Sequence, residues 1–267
     1  MTRPAPRLVA ALPALLVADP RASIVHYRDL FGFHDEGVFG REPELFGMVS
    51  FAKLQGLHFK QASARPARPA AADGEDPPLD AYVRLAAALV APLHAHLASC
   101  GAHVLGPPRD QPWQQREFLV QDPDGHVLCF GGDLTGQWPA TAMTLSPELA
   151  VRDPEATLAF FRDALGFPEG RTWGEPPRYA IVGRDDVRLH LRRAASGEVR
   201  SNSASADIWD VYIKCTGVDD LAGEFQRRGV PLERGPMTTV YEMREFEVLD
   251  PDGHVLCFGE PAESARG

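Results

Sequence analysis

The chain holds one set of chemically capable side chains twice, in the same order. Residues 116–130 read REFLVQDPDGHVLCF and residues 244–258 read REFEVLDPDGHVLCF. Each copy supplies an arginine–glutamate pair (Arg116-Glu117, Arg244-Glu245), a histidine (His126, His254) and a cysteine (Cys129, Cys257). A thiolate is a nucleophile and soft-metal ligand, and an imidazole transfers protons near neutrality. At matching offsets just upstream stand Trp113 and Tyr241, whose rings could stack on a small molecule. The arginine–glutamate pairs read as solvated or structural ion pairs, and the two histidines as hairpin-surface residues. His26, His94, His96 and His103 have no histidine counterpart in the other copy, which makes them poor candidates for shared chemistry. The sequence contains no nucleophile elbow, no phosphate-binding glycine loop and no zinc-protease HExxH.

The duplication divides the 267 residues into two domains, expected at 1–136 and 141–267, each large enough to bury its own core. Each opens on a strand (Val9–Val17; Thr144–Val151), then an Asp-Pro helix start at Asp19-Pro20 or Asp153-Pro154. Gly32 and Gly166 suit left-handed helix ends. Three strands follow, at 38–40, 47–52 and 56–60 and again at 169–173, 178–182 and 187–192. Polar low-complexity stretches (QASARPARPAAADGEDPP; AASGEVRSNSASA) read as loops. The order then restarts: strand (80–85; 210–215), helix (90–100; 219–228) and three more strands, the last two joined by DPDG turns closed by a positive-φ glycine. Four strand–helix–three-strand modules result.

Hydrophobic residues at 44% and charged residues at 24% are those of a soluble globular protein. The net charge of -10 argues against nucleic acid and anionic membrane surfaces. It is uneven, with 12 basic and 15 acidic side chains in residues 1–139 against 15 and 22 thereafter. The N-terminus reads as a first strand and not a signal peptide, and no apolar run reaches membrane-spanning length. Cys100, Cys129, Cys215 and Cys257 form no CxxC pair and read as buried reduced thiols of a cytoplasmic protein. Trp209 precedes Asp210 directly and is expected on the opposite face, and Trp138 falls in the linker.

The segments LPALLVADPRASIVHYRDLFGF and SPELAVRDPEATLAFFRDALGF, with the two REFxVxDPDGHVLCF blocks, resemble the vicinal oxygen chelate superfamily. That group includes glyoxalase I, fosfomycin and bleomycin resistance proteins and extradiol dioxygenases. The resemblance implies an α+β fold in which each half pairs its βαβββ modules into a partly open, eight-stranded, barrel-like cup flanked by helices. It also implies where a metal would be held. The first-strand ligand position is Leu12 or Ser146, and the fourth-strand position is His58 or His190. The strand opening the second module offers Asp80 or Asp210, and the last strand Cys129 or Cys257, where metal-using members carry Glu. His, Asp and Cys together could hold zinc with one open position. Leucine cannot ligate, however, and cysteine for glutamate changes the ligand class. The expectation is no metal and no other cofactor, with a divalent metal as the lesser option. An extradiol dioxygenase is excluded, because Ser146, Asp210 and Cys257 cannot complete a two-histidine, one-carboxylate triad.

A cup without metal must hold its ligand by rings and a few polar groups. Trp113 and Tyr241 at the rim lead the candidates, with His58, Asp80, Cys129, His190, Asp210, Cys257 and the matched second-strand rings Phe39 and Trp173. The function expected is metal-independent binding of an antibiotic or natural product, of the bleomycin-resistance type. The alternative is a glyoxalase-like lyase or isomerase, using a divalent metal or His/Asp acid–base chemistry. The partner expected is a small molecule, neither nucleic acid nor membrane. The chain is expected as a monomer containing a pseudo-dimer, or as a homodimer.

Overall fold

The computed structural model describes residues 5–52, 55–62, 77–136, 143–194, 199, 201–202 and 208–262. Trp138 and most of the two polar stretches lie outside them. The first module runs β1 (Arg7–Val17), α1 (Pro20–Phe31), β2 (His34–Phe39), β3 (Phe46–Ala52) and β4 (Gln55–Gln61). The second runs β5 (Ala81–Arg84), α2 (Ala87–Ser99), two short pieces β6 (His103–Val104) and β7 (Arg109–Asp110), then β8 (Gln115–Gln121) and β9 (Val127–Asp133). The third comprises β10 (Thr144–Val151), α3 (Pro154–Asp163), β11 (Glu169–Trp173), β12 (Tyr179–Arg184) and β13 (Val187–Arg193). The fourth comprises β14 (Val211–Thr216), α4 (Val218–Arg227), β15 (Arg234–Thr238), β16 (Met243–Leu249) and β17 (Val255–Pro261).

Local chemistry explains the element ends. The Asp19 and Asp153 carboxylates accept from the Arg21 and Glu155 backbone N–H groups at 2.9 and 3.1 Å, with proline following each cap. Gly32 closes α1 at φ 69°, as its position implies, whereas α3 ends at Ala164 and Gly166 turns the chain two residues later at φ 70°. Helix α2 starts at Ala87, three residues before the expected Val90, because the alanine run extends it; Pro92 sits inside it. Among the described residues, no helix is long and apolar enough to cross a membrane.

The strands form two open sheets. One has the order β15-β16-β17-β14-β1-β4-β3-β2, the other β11-β12-β13-β10-β5-β9-β8-β6, with β7 on β8. The first and fourth modules thus share a sheet, as do the second and third, so the strands of one half's two modules lie in different sheets although those modules pack around a common core. Strand β1 takes β14 as its neighbour, antiparallel from Arg7↔Thr216 to Pro13↔Val211, and β5 takes β10.

Two compact units result: Leu15–Glu148, and Met1–Ala14 with Leu149–Gly267. Each has its own core. In the first, Phe118 and Phe130 stack at 5.3 Å among Val83, Leu97 and Leu128. In the second, Phe246 and Phe258 stack at 5.1 Å among Val211, Ile213 and Phe225. Strand alternation puts these side chains in the core and leaves Tyr82, Glu117 and Cys129, or Tyr212, Glu245 and Cys257, on the opposite sheet face.

Candidate functional site

The duplicated residues build the same arrangement in each unit. In Leu15–Glu148, strand register sets Ser146, Tyr82, Cys129 and Leu119 in one row. The neighbouring row is Thr144, Arg84, Gly131 and Glu117. In the other unit the rows are Leu12, Tyr212, Cys257 and Glu247, then Ala10, Lys214, Gly259 and Glu245. A Cβ on Gly131 or Gly259 would overlap the Tyr82 or Tyr212 hydroxyl, so glycine is what lets each phenol cross to the glutamate.

Each glutamate then gathers two aromatic donors. Tyr82 Oη and Trp113 Nε1 donate to Glu117 Oε1 at 2.9 and 3.0 Å. Tyr212 Oη donates to Glu245 Oε1 at 2.8 Å and Tyr241 Oη to Oε2 at 2.7 Å. Glu117 and Glu245 are buried, whereas Trp113 and Tyr241 are 54% and 53% exposed. Burial, reinforced by Glu245, pushes both tyrosine pKa values well above the ordinary phenol range, so both remain donors. The arginine partners expected for these glutamates are elsewhere. Arg116 forks onto Asp110 at 2.6 and 2.8 Å, and Arg244 onto Asp219.

Asp80 and Asp210 serve the final hairpins. Asp80 accepts from Val127 N at 2.8 Å and meets His126 Nδ1 at 3.0 Å. Asp210 accepts from Val255 N, Asn202 N and Ser201 Oγ, each at 2.8 Å. Burial raises the Asp210 pKa against the opposing His254 charge. His126 and His254 are buried rather than on the hairpin surface. His126 Nε2 lies 2.8 Å from the Leu16 carbonyl, and His254 Nδ1 lies 2.8 Å from Asp250. Burial alone would lower the His254 pKa, but the Asp250 hydrogen bond and the Asp250, Asp210 and Asp252 charges raise it.

His58 and His190 stand, as expected, on the fourth strand of their modules, but in a different sheet from the residues expected to converge with them. His58 lies on the eight-stranded sheet while Asp80 and Cys129 belong to the nine-stranded one; His190 is likewise separated from Asp210 and Cys257. The physical reason is the neighbour choice of the opening strands, since β4 borders β1 and β3 while β5 borders β10 and β9. His58 packs edge-on to Phe46 at 5.2 Å. His190 Nδ1 lies 2.5 Å from Tyr179 Oη. The matched second-strand rings pair in register with an aromatic, Phe39 with Phe46 and Trp173 with Tyr179. The Arg171 guanidinium lies 5.2 Å over Trp173. Trp209 packs 5.1 Å from Tyr212, because β14 begins only at Val211 and strand alternation does not extend back to it.

The donor set does not fit a metal of the superfamily type. Leu12 and Ser146 flank Tyr212 and Tyr82, Asp80 and Asp210 are engaged by the hairpins, and burial with Glu245 and Glu247 lifts the Cys257 thiol far from its thiolate. Burial pushes the Cys215 thiol up to about 12. Among the described residues, no three His, Cys, Asp or Glu side chains gather closely enough to hold a metal ion. Cys129, Cys215 and Cys257 are buried as expected, but Cys100 is exposed.

Sequence reasoning missed Tyr82 and Tyr212 and misread Glu117 and Glu245. The signal was present: the tyrosine follows Asp80 or Asp210 by two residues, and the glycine follows each cysteine by two, in both copies.

Comparison with known proteins bears on the fold and the family. The family model of the Glyoxalase/Bleomycin resistance protein/Dioxygenase superfamily matches residues 9–130 and again 142–258, and the chain belongs to that superfamily as a tandem of two such regions. A bleomycin resistance protein of Geobacillus stearothermophilus is 25% identical over 133 residues, 44% of this chain and 96% of its own length. Glyoxalase I of Zea mays superposes with a TM-score of 0.65 at 16% identity, covering 96% of this chain and 92% of the maize chain. A variant of the maize enzyme gives 0.66 at 17% identity, over 95% and 93% of the two chains. At those identities the maize structures establish the fold alone.

Proposed function

We propose that this protein binds a small molecule without metal, in the manner of bleomycin resistance proteins, and that its ligand is an antibiotic or other natural product. The observation that carries the reading is the half-exposed ring clamped onto a buried glutamate in each unit, Trp113 on Glu117 and Tyr241 on Glu245. A ring held in place loses little freedom when a ligand stacks on it. The donor set supports independence from metal, and the similarity to a bleomycin resistance protein supports the ligand class. The acidic balance supports a partner that is neither nucleic acid nor an anionic surface. A cytoplasmic location and a monomer with an internal pseudo-dimer, or a homodimer, complete the reading.

Titration calorimetry with metal-free bleomycin and a panel of hydrophobic and cationic natural products tests it. Binding that Trp113→Ala or Tyr241→Ala weakens at least about tenfold is expected for a ring acting as an anchor. No heat with any compound would sink the proposal. A second reading, a metal-free lyase or isomerase, draws on the short contact between Tyr179 Oη and His190 Nδ1, a hydroxyl placed to exchange a proton with an imidazole. Elemental analysis discriminates further: a stoichiometric metal lost on Cys257→Ser or His190→Ala would favour an enzyme using metal.

A further inference from the structure

We infer that Glu117 and Glu245 are positioning residues, each fixing the orientation of a rim ring for ligand contact. The inference rests on the binding reading above and names the device that prepares its site. Three observations made in both copies carry it. First, the ring donates to the glutamate four residues later, Trp113 Nε1 to Glu117 and Tyr241 Oη to Glu245. Second, the residue after each ring, Gln114 or Glu242, adopts φ 64° or 62°, a left-handed conformation unfavourable to side chains larger than glycine. The turn is held there by the backbone, with Gln114 N bonding Gln111 O and Leu134 N bonding Gln114 O. The second copy repeats this with Glu242 N on Thr239 O and Ala262 N on Glu242 O. Third, Tyr82 or Tyr212 reaches the same carboxylate across a glycine that no other residue could replace without overlap.

Backbone strain kept in two copies whose sequences differ at this point (PWQQREF against VYEMREF) indicates that the ring's placement is what is held constant. The ring itself is not, since an indole in one copy is a phenol in the other. Both are aromatic bodies with one polar donor, and in both the donor is spent on the glutamate. The rim rings therefore offer a ligand their faces and no hydrogen-bond donor.

The indole N–H resonances of the four tryptophans, read by proton–nitrogen correlation on the full chain, test this directly. Trp113→Phe assigns the relevant signal. In the unaltered chain the Trp113 N–H should exchange slowly with solvent although its ring is half exposed. Glu117→Leu should speed that exchange at least about tenfold, as a lost hydrogen bond of this kind predicts, while Glu117→Gln, which keeps an acceptor oxygen, should retain part of the protection. If Glu117→Leu fails to fold, Glu117→Gln and Tyr82→Phe still report, each with a smaller acceleration. Equal exchange in the unaltered chain and in all three variants would overturn the inference. Titration with metal-free bleomycin then reads the consequence for binding. Loss of preorganisation in Glu117→Leu should weaken binding about two- to tenfold. Unaltered affinity with a released N–H would also overturn it. If the unaltered chain does not bind bleomycin but the N–H is protected as described, the positioning stands and only that ligand assignment fails.

Discussion

At the residue scale, one buried carboxylate and one absent side chain organise each candidate site. Glu245 takes Tyr212 and Tyr241 on separate oxygens, and Gly259 clears the path. Gly259→Ala should force the phenol aside and destabilise the protein by about 1–3 kcal/mol, the usual result of overpacking; urea denaturation measures it. The same substitution at Gly131 should act alike. His254 carries the pH dependence. Its folded pKa is raised, so its contribution is complete below the unfolded value of about 6.5 and is lost as pH rises through the folded value. The raised Asp210 pKa, caused by burial, has the same sense but acts from a lower pH. Its contribution declines from the unfolded carboxylate value of about 3.9 upward, so that the further fall above the histidine value belongs to His254. Stability should therefore fall as pH climbs above about 6.5, and His254→Gln should flatten that fall. A melting-temperature profile as steep in His254→Gln as in the parent would refute the assignment.

At the scale of elements, the final hairpin and the turn before it do most of the positioning. Asp250 accepts from Asp252 N, His254 N and His254 Nδ1, all at 2.8 Å, and is buried. Asp250→Ala leaves buried donors unmatched and should cost about 2–5 kcal/mol, by the usual penalties for unsatisfied groups. The rim turn makes a subtler forecast. Glu242→Val places a β-branched residue at φ 62°, which should cost about 1–2 kcal/mol, whereas Glu242→Gly should be neutral or stabilising. Equal stability of the two variants would show that the left-handed turn is not present. Much of this element was legible. The DPDG pattern foretold the turn and its glycine, found at φ 88° in both Gly125 and Gly253. Burial of His126 was not legible, because it depends on Asp80 and the Leu16 carbonyl reaching the ring from segments distant in sequence.

For the whole molecule, the unit containing Leu149–Gly267 includes the start of the chain. Arg7–Pro13 pairs with Val211–Thr216, so a fragment of residues 141–267 would leave β14 with an unpaired, largely apolar edge. That fragment should aggregate or melt at lower temperature than the full chain. Supplying residues 5–17 as a peptide should recover part of the difference in a thermal melt. Stable monomeric behaviour without the peptide would contradict the pairing.

The residues alone determined the duplication, the order of strands and helices, the capped helix starts and the family. These follow from local spacing and turn chemistry, which act over a few positions. They also determined that leucine, serine and cysteine stand at the metal positions of the superfamily. Tertiary structure decided which of the duplicated side chains meet. Register sets Tyr82 two residues beyond Asp80 into the row of Cys129, while Asp80 turns to the hairpin. The neighbour taken by each opening strand places His58 in a different sheet from Asp80 and Cys129. Pairings between strands far apart in sequence leave no periodic trace in either one, which is why the glutamate beneath each rim ring first looked like half of a surface ion pair.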